Sequence, residues 1–154
     1  MMRHLLTCLY VAALAALALL AACATAPPEP TATPALSFSR TVTSDEKKFI
    51  VSIRPLAEPT PINQIHAWEI TLTTPVGIAV RNAVFFIGGG MPDHGHGFPT
   101  HPVVTAANVP GTYLLEGMKF SMHGRWEIKF AIQAGPTSDI VTFNTMVALP
   151  AISP

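Results

Sequence analysis

Three histidines lie close together in the middle of the chain, and their side chains could bind a metal ion. His94, His96 and His101 fall within eight residues. Imidazole is the commonest metal ligand among side chains, and two histidines separated by one flexible glycine can point to one side and chelate a single ion. Glycines and prolines surround the cluster from Gly88 to Pro102. The sequence therefore predicts a loop between strands, in which the imidazoles are not core fillers.

Methionine sulfur could complete such a site. Met91 stands just before the histidines, and Met122 and His123 follow later in the chain. Thioether and imidazole ligands without thiolate suit Cu(I), while imidazole alone also suits Cu(II), Ni or Zn. Asp93 is the one carboxylate of the cluster, which disfavours an all-oxygen site for Mg or Ca. Copper is therefore the metal that this donor set predicts.

Each candidate ligand also has a purely structural interpretation. His94 and His96 could be a solvent-exposed or turn-stabilising pair, and Met91 could pack under the loop, because methionine fills irregular gaps well. His66 shares the parity of Trp68 in a predicted strand, which favours a buried, hydrogen-bonded core residue over a ligand at the strand edge. The predicted ligands are His94, His96, Met91 and Met122, and the further candidates are His123, His101 and His66.

The segments that must position these side chains have the pattern of β-strands. From Leu36 onward, apolar and polar residues alternate with a period of two, and Pro or Gly interrupts the pattern every dozen or so residues. The stretch from Ile78 to Ile87 is apolar on both parities at its end, as in a central strand covered on two sides. Trp68 and Trp126 are predicted to lie in the core. The prediction is an all-β, immunoglobulin-like antiparallel β-sandwich of seven or eight strands.

Three blocks of this sequence resemble a known family. They are Gly89-Gly-Met-Pro-Asp-His-Gly-His-Gly-Phe-Pro-Thr-His-Pro102, Gly111-Thr-Tyr-Leu-Leu-Glu-Gly-Met-Lys-Phe-Ser-Met122 and Gly124-Arg-Trp-Glu127. By the order and spacing of these motifs, residues 62–147 are similar to the exported YtkA-like and FixH-like domains. The resemblance implies an immunoglobulin-like β-sandwich of a kind often found in copper handling and cytochrome oxidase assembly.

The resemblance also bears on the candidate ligands. It implies that His94, His96 and Met122, with Met91, occupy positions that recur in the family. This sequence departs from the family pattern at two places: Phe98 stands where a methionine is common, and His123 stands where a proline is common. The ligand set here is therefore expected to differ from that of its relatives.

The N-terminal part of the chain is typical of a bacterial lipoprotein. Residues 1–22 combine a short basic start with an apolar run, as a secretory signal peptide does. Leu20-Ala-Ala-Cys23 resembles a lipobox, which implies acylation of Cys23. Residues 23–35 form a linker with four prolines, an extended tether. Residues 36–154 then form the folded domain, which contains no cysteine and hence no disulfide.

Composition excludes some functions and leaves two open. The formal net charge is zero and Lys and Arg are not clustered, so nucleic acid is not an expected partner. No catalytic motif is present, and no enzyme is expected. The first hypothesis is a protein anchored by its lipid at the outer membrane, on the periplasmic side, that captures or delivers copper in the cell envelope. The alternative is an envelope adaptor module that binds another protein through its sandwich.

Overall fold

The computed structural model describes residues 35–149, and the alternating segments among them form two antiparallel sheets. The order in the five-stranded sheet is β1-β2-β3-β7-β6, and in the four-stranded sheet it is β5-β4-β8-β9. The predicted antiparallel β-sandwich is thus confirmed, with nine strands instead of seven or eight. The strands are β1 (Thr41–Thr43), β2 (Ile50–Pro55), β3 (His66–Thr73), β4 (Val84–Met91), β5 (His96–Gly97), β6 (Val103–Ala106), β7 (Thr112–Met118), β8 (Gly124–Ala134) and β9 (Thr137–Val147).

The core lies between the inner faces of the two sheets. Trp68 and Trp126 are fully buried in it, as the strand parity predicts. Phe85 of β4 and Tyr113 of β7 belong to different sheets, and their ring centroids are 4.9 Å apart. Each buried tryptophan contributes roughly 3 kcal/mol or more through the hydrophobic effect, which matters for a domain without a disulfide.

The strand predicted at residues 78–87 begins later than expected, because β4 spans Val84–Met91. The preceding residues bond the end of β3, where Ala79 forms an isolated bridge with Thr73, and a side chain of β7 also holds them. The Tyr113 hydroxyl accepts a hydrogen bond from the N–H of Ala83 at 3.0 Å and donates one to the carbonyl of Val80 at 2.8 Å. The N–H of Ala83 and the carbonyl of Val80 thus have hydrogen-bond partners although they lie outside a sheet.

The expectation that both faces of this strand are covered is also wrong. Val84 is 54% exposed and Phe86 is 66% exposed, so one face of β4 meets solvent. The predicted loop starts later as well, since Gly88 to Met91 continue β4 and His96–Gly97 form β5.

The predicted signal peptide at residues 1–22, the lipidated Cys23 and the linker up to residue 34 lie outside the described residues. Within residues 35–149, no helix has the length and apolar character needed to cross a membrane.

Candidate metal site

A tight reversal of the chain brings two of the predicted ligands together. β4 ends at Met91, a single 3-10 turn covers Pro92–His94, and β5 begins at His96. Gly95 joins the two with φ of 69°, a left-handed conformation that glycine adopts without steric cost. The rings of His94 and His96 are exposed, and their centroids are 6.0 Å apart. The two imidazoles therefore share one end of the four-stranded sheet.

Glycines allow the three strands of this region to approach closely. A Cβ at Gly90 would lie 2.2 Å from the carbonyl oxygen of His96, and a Cβ at Gly89 would lie 2.1 Å from that of Glu127. Both glycines have positive φ values, 119° at Gly89 and 148° at Gly90. Only glycine fits such positions. The glycine run therefore lets β5 and β8 approach β4 closely on its two sides.

An ion pair fixes the 3-10 turn to β8. Arg125 donates two hydrogen bonds to the carboxylate of Asp93, at 2.6 and 3.2 Å. A third bond from Arg125, at 3.3 Å, goes to the side-chain oxygen of Asn144 on β9. Hydrogen bonding to Arg125 lowers the pKa of Asp93, and the same contact raises the pKa of Arg125. Asp93 is thus engaged in holding the turn beside the histidines.

The ring of Trp126 packs against the imidazole of His96. The two ring centroids are 5.9 Å apart, and the ring of Phe98 stacks on Trp126 with an interplanar angle of 8°. The indole N–H of Trp126 donates to the carbonyl of Met122 at 3.1 Å. The same tryptophan therefore contacts His96 and fixes the backbone at Met122. Phe98 therefore has a packing role here.

The two predicted methionine ligands differ in accessibility. Met91 is directly opposite His96 in the β4–β5 pairing, so both side chains project from the same face of the sheet. It is only 1% exposed, and a Cβ at Gly124 would lie 2.9 Å from its methyl carbon. Met122 is 38% exposed. Met91 is therefore packed beneath the histidines, and Met122 is the methionine that solvent reaches.

The imidazole of His96 is oriented by the backbone. Its Nδ1 lies 3.3 Å from the carbonyl of Gly97, a partner that can only accept, so Nδ1 is the donor in this contact. That leaves Nε2 with its lone pair free. A metal-binding histidine commonly donates its other ring N–H in this way.

The remaining candidate histidines lie elsewhere. His101 is exposed ahead of β6, and His123 is exposed beside Met122. His66 begins β3 in the other sheet and is 8% exposed, and burial lowers its pKa. Among residues 35–149, no three His, Cys, Asp or Glu side chains are placed to hold one metal ion. An ion bound by His94 and His96 would therefore need sulfur or water as its other ligands.

A family model described as YtkA-like matches residues 40–131. The chain belongs to the YtkA-like family. The match begins just before β1 and ends within β8, and it contains every histidine of the described region. It confirms the YtkA-like resemblance and indicates an exported envelope domain. No curated protein and no solved structure matches the chain.

The sequence did not predict the contacts that build this site. Asp93 within the cluster and Arg125 after Gly124 are visible in the sequence, but nothing in it marks Arg125 or Trp126 as a partner of the histidine turn. Their partners lie about 30 residues away, so local patterns carry no signal for the pairing.

Proposed function

We propose that this YtkA-like protein binds copper in the cell envelope and captures or delivers the ion, without catalysing a reaction. His94 and His96 are the principal ligands, and the sulfur atoms of Met122 and Met91 are auxiliary ligands. His101 and His123 are exposed and are the further candidates. Mixed imidazole and thioether donors suit copper in either oxidation state.

The observation that supports this proposal most is the pair of exposed imidazoles on a fixed turn. Their ring centroids are 6.0 Å apart, and the turn is held by the Asp93–Arg125 ion pair. Ring rotation can bring two such nitrogens to one ion at bond lengths of about 2 Å. Because both rings are exposed, a bound ion would stay open to exchange with a partner, which suits capture or delivery.

The proposed place of action follows from the N-terminal sequence. Acylation of Cys23 would anchor the chain to the outer membrane, and the proline-rich linker would hold the domain off the periplasmic surface. At about 3.1 Å per residue, such a linker would span roughly 35 to 40 Å. The domain would then reach soluble or membrane-bound partners.

A second candidate function, an adaptor module, is favoured by one surface. Phe86 and Ile140 flank Ala131 in one cross-strand row of the four-stranded sheet. They are 66% and 43% exposed, and exposed apolar clusters commonly mark protein interfaces. Metal analysis of the purified full chain distinguishes the two functions, because an adaptor would carry no stoichiometric copper.

An anaerobic Cu(I) titration of the full chain against a chromophoric competing chelator tests the copper proposal. The double variant His94→Ala/His96→Ala should bind at least about tenfold more weakly than the wild type. Met146→Ala is the matched control, since it truncates an exposed side chain that is not among the candidate ligands. Equal affinities for the double variant and the wild type would remove the proposed site.

A further inference from the structure

We propose that the protein has a second, internal site for a soft monovalent metal ion, Cu(I), formed by Nε2 of His66 and the sulfur of Met118. This site is separate from the exposed His94 and His96 pair and goes beyond the proposed function. It lies at the start of β3, on the five-stranded sheet.

The imidazole of His66 presents a free nitrogen to the interior. Its Nδ1 lies 3.1 Å from the carbonyl of Gln64, and because a carbonyl only accepts, Nδ1 is the donor and Nε2 carries the lone pair. Nε2 is buried and has no hydrogen-bond partner among residues 35–149. A buried acceptor without a partner is costly. A metal ion at Nε2 would satisfy it, and the Nδ1 contact already has the form of an outer-shell bond to a metal-binding histidine.

A local irregularity of the sheet places Met118 beside His66. Met118 is the direct partner of His66 in the β3–β7 pairing, and paired residues of antiparallel strands project side by side from one face. The register shifts between His66 and Trp68, which pair with Met118 and Leu115. One extra residue therefore lies on β7, next to Gly117 with φ of 78°. This bulge turns Met118, fully buried, toward the core.

The apolar side chains around His66 favour a soft metal ion of low charge. The ring of Phe120 lies 5.0 Å from that of His66, and the ring of Trp68 lies 6.4 Å from it. A divalent ion with two neutral ligands would be strongly disfavoured in such an apolar environment. Cu(I) carries one charge, accepts thioether and imidazole ligands, and tolerates two-coordination.

The two sites lie at the same end of the sandwich but do not merge. The rings of Phe120 and Trp126 stand between them, with centroids 4.9 Å apart. Phe120 contacts His66, and Trp126 contacts His96. Since His66 is the first residue of β3 and the preceding Ile65 is 70% exposed, an ion has only a short path from solvent to the internal site.

An anaerobic Cu(I) titration in the His94→Ala/His96→Ala background tests this proposal. The full chain in that background should still bind about one equivalent, with one sulfur in the X-ray absorption spectrum of the copper. Adding Met118→Leu, which keeps the volume of the side chain, should weaken this binding by at least about tenfold. Met146→Leu is the control, since Met146 is an exposed methionine on β9.

Each outcome is decisive. Absence of Cu(I) binding in the histidine double variant, or equal binding by the Met118→Leu and Met146→Leu proteins, overturns the internal site. An Nε2 resonance of His66 that does not move when Cu(I) is added shows that this nitrogen does not bind the ion, which also overturns the internal site. If the double variant binds as the wild type does while Met118→Leu abolishes all binding, the proposed function fails and the internal site stands.

Discussion

Arg125 joins segments that are far apart in sequence, since Asp93 lies 32 positions before it. Its guanidinium bonds the Asp93 carboxylate with two N–H groups, a geometry that fixes orientation as well as position. The side chain of Arg125 is largely buried, whereas that of Asp93 is mostly exposed. Because the turn that carries His94 is held through this pair, the orientation of the imidazoles depends on it.

Asp93→Asn should therefore weaken copper binding while the domain stays folded. The amide loses the charge that attracts Arg125, and the turn becomes looser, so we expect about a tenfold loss of affinity in the competition titration. Glu69→Gln is the matched control, because it breaks an exposed ion pair with Arg54 in the other sheet. Equal affinities in the two variants would show that the Asp93–Arg125 pair does not position the site.

Single residues could be assigned from the sequence where strand parity alone decides burial. Trp126 alternates with polar neighbours and His66 shares the parity of Trp68, and all three are buried. Parity could not show what each buried polar group contacts. The contact between His96 and Trp126 depends on how β5 and β8 flank β4, which is a property of the assembled sheet.

At the scale of the strands, the pairing of β5 with β4 requires glycine at position 90. We expect Gly90→Ala to lower the free energy of unfolding by about 1–3 kcal/mol, because the new methyl group would collide with the carbonyl of His96. Copper affinity should fall with it, as His96 is displaced. Gly88→Ala is the control, since a Cβ there meets no atom within 4 Å. Chemical denaturation and copper titration of both variants check this, and equal stability of the two would refute the role of the close approach.

Asp139 ties the turn between β1 and β2 to the edge strand β9. Its carboxylate accepts hydrogen bonds from the backbone N–H groups of Glu46, Lys48 and Ile140, at 2.7 to 3.2 Å. Burial alone would raise the pKa of Asp139, but these bonds and one from Ser44 lower it to about 2. The folded state therefore favours the ionised carboxylate.

This pKa predicts how stability depends on pH. The folded-state pKa of Asp139 lies below the ordinary value of 3.8, so its contribution is complete above about pH 4 and is lost as the pH falls toward 2. Asp139→Asn should lower the unfolding free energy at pH 7 by about 1–3 kcal/mol and should flatten the pH dependence below pH 4. Urea denaturation across this range measures both effects. A variant whose pH profile matched the wild type would contradict the assignment.

Strand existence was easier to predict than strand position. The prediction for residues 78–87 was displaced, because Gly88 to Gly90 are typical of a loop when only neighbours in sequence are considered. Their place in β4 depends on the carbonyls of Glu127 and His96, which come close only after the sheet forms. The same long-range pairing accounts for the two-residue strand β5, which is too short for any periodicity.

At the scale of the whole molecule, a sandwich without disulfides presents its histidine turn at one end. The alternating pattern predicted this architecture, because each strand must bury one face against the other sheet. It could not place the turn relative to Trp126 or Met122, since loops at the end of a sandwich are positioned by contacts between strands.

Electron paramagnetic resonance of the full chain with about one equivalent of Cu(II) tests the central claim most directly. Cu(II) prefers imidazole over buried thioether, so the spectrum reports on the exposed pair. The wild type should show coupling to two imidazole nitrogens, and His94→Ala/His96→Ala should give the signal of loosely held or aqueous Cu(II). Identical spectra from the two proteins would contradict copper binding by His94 and His96.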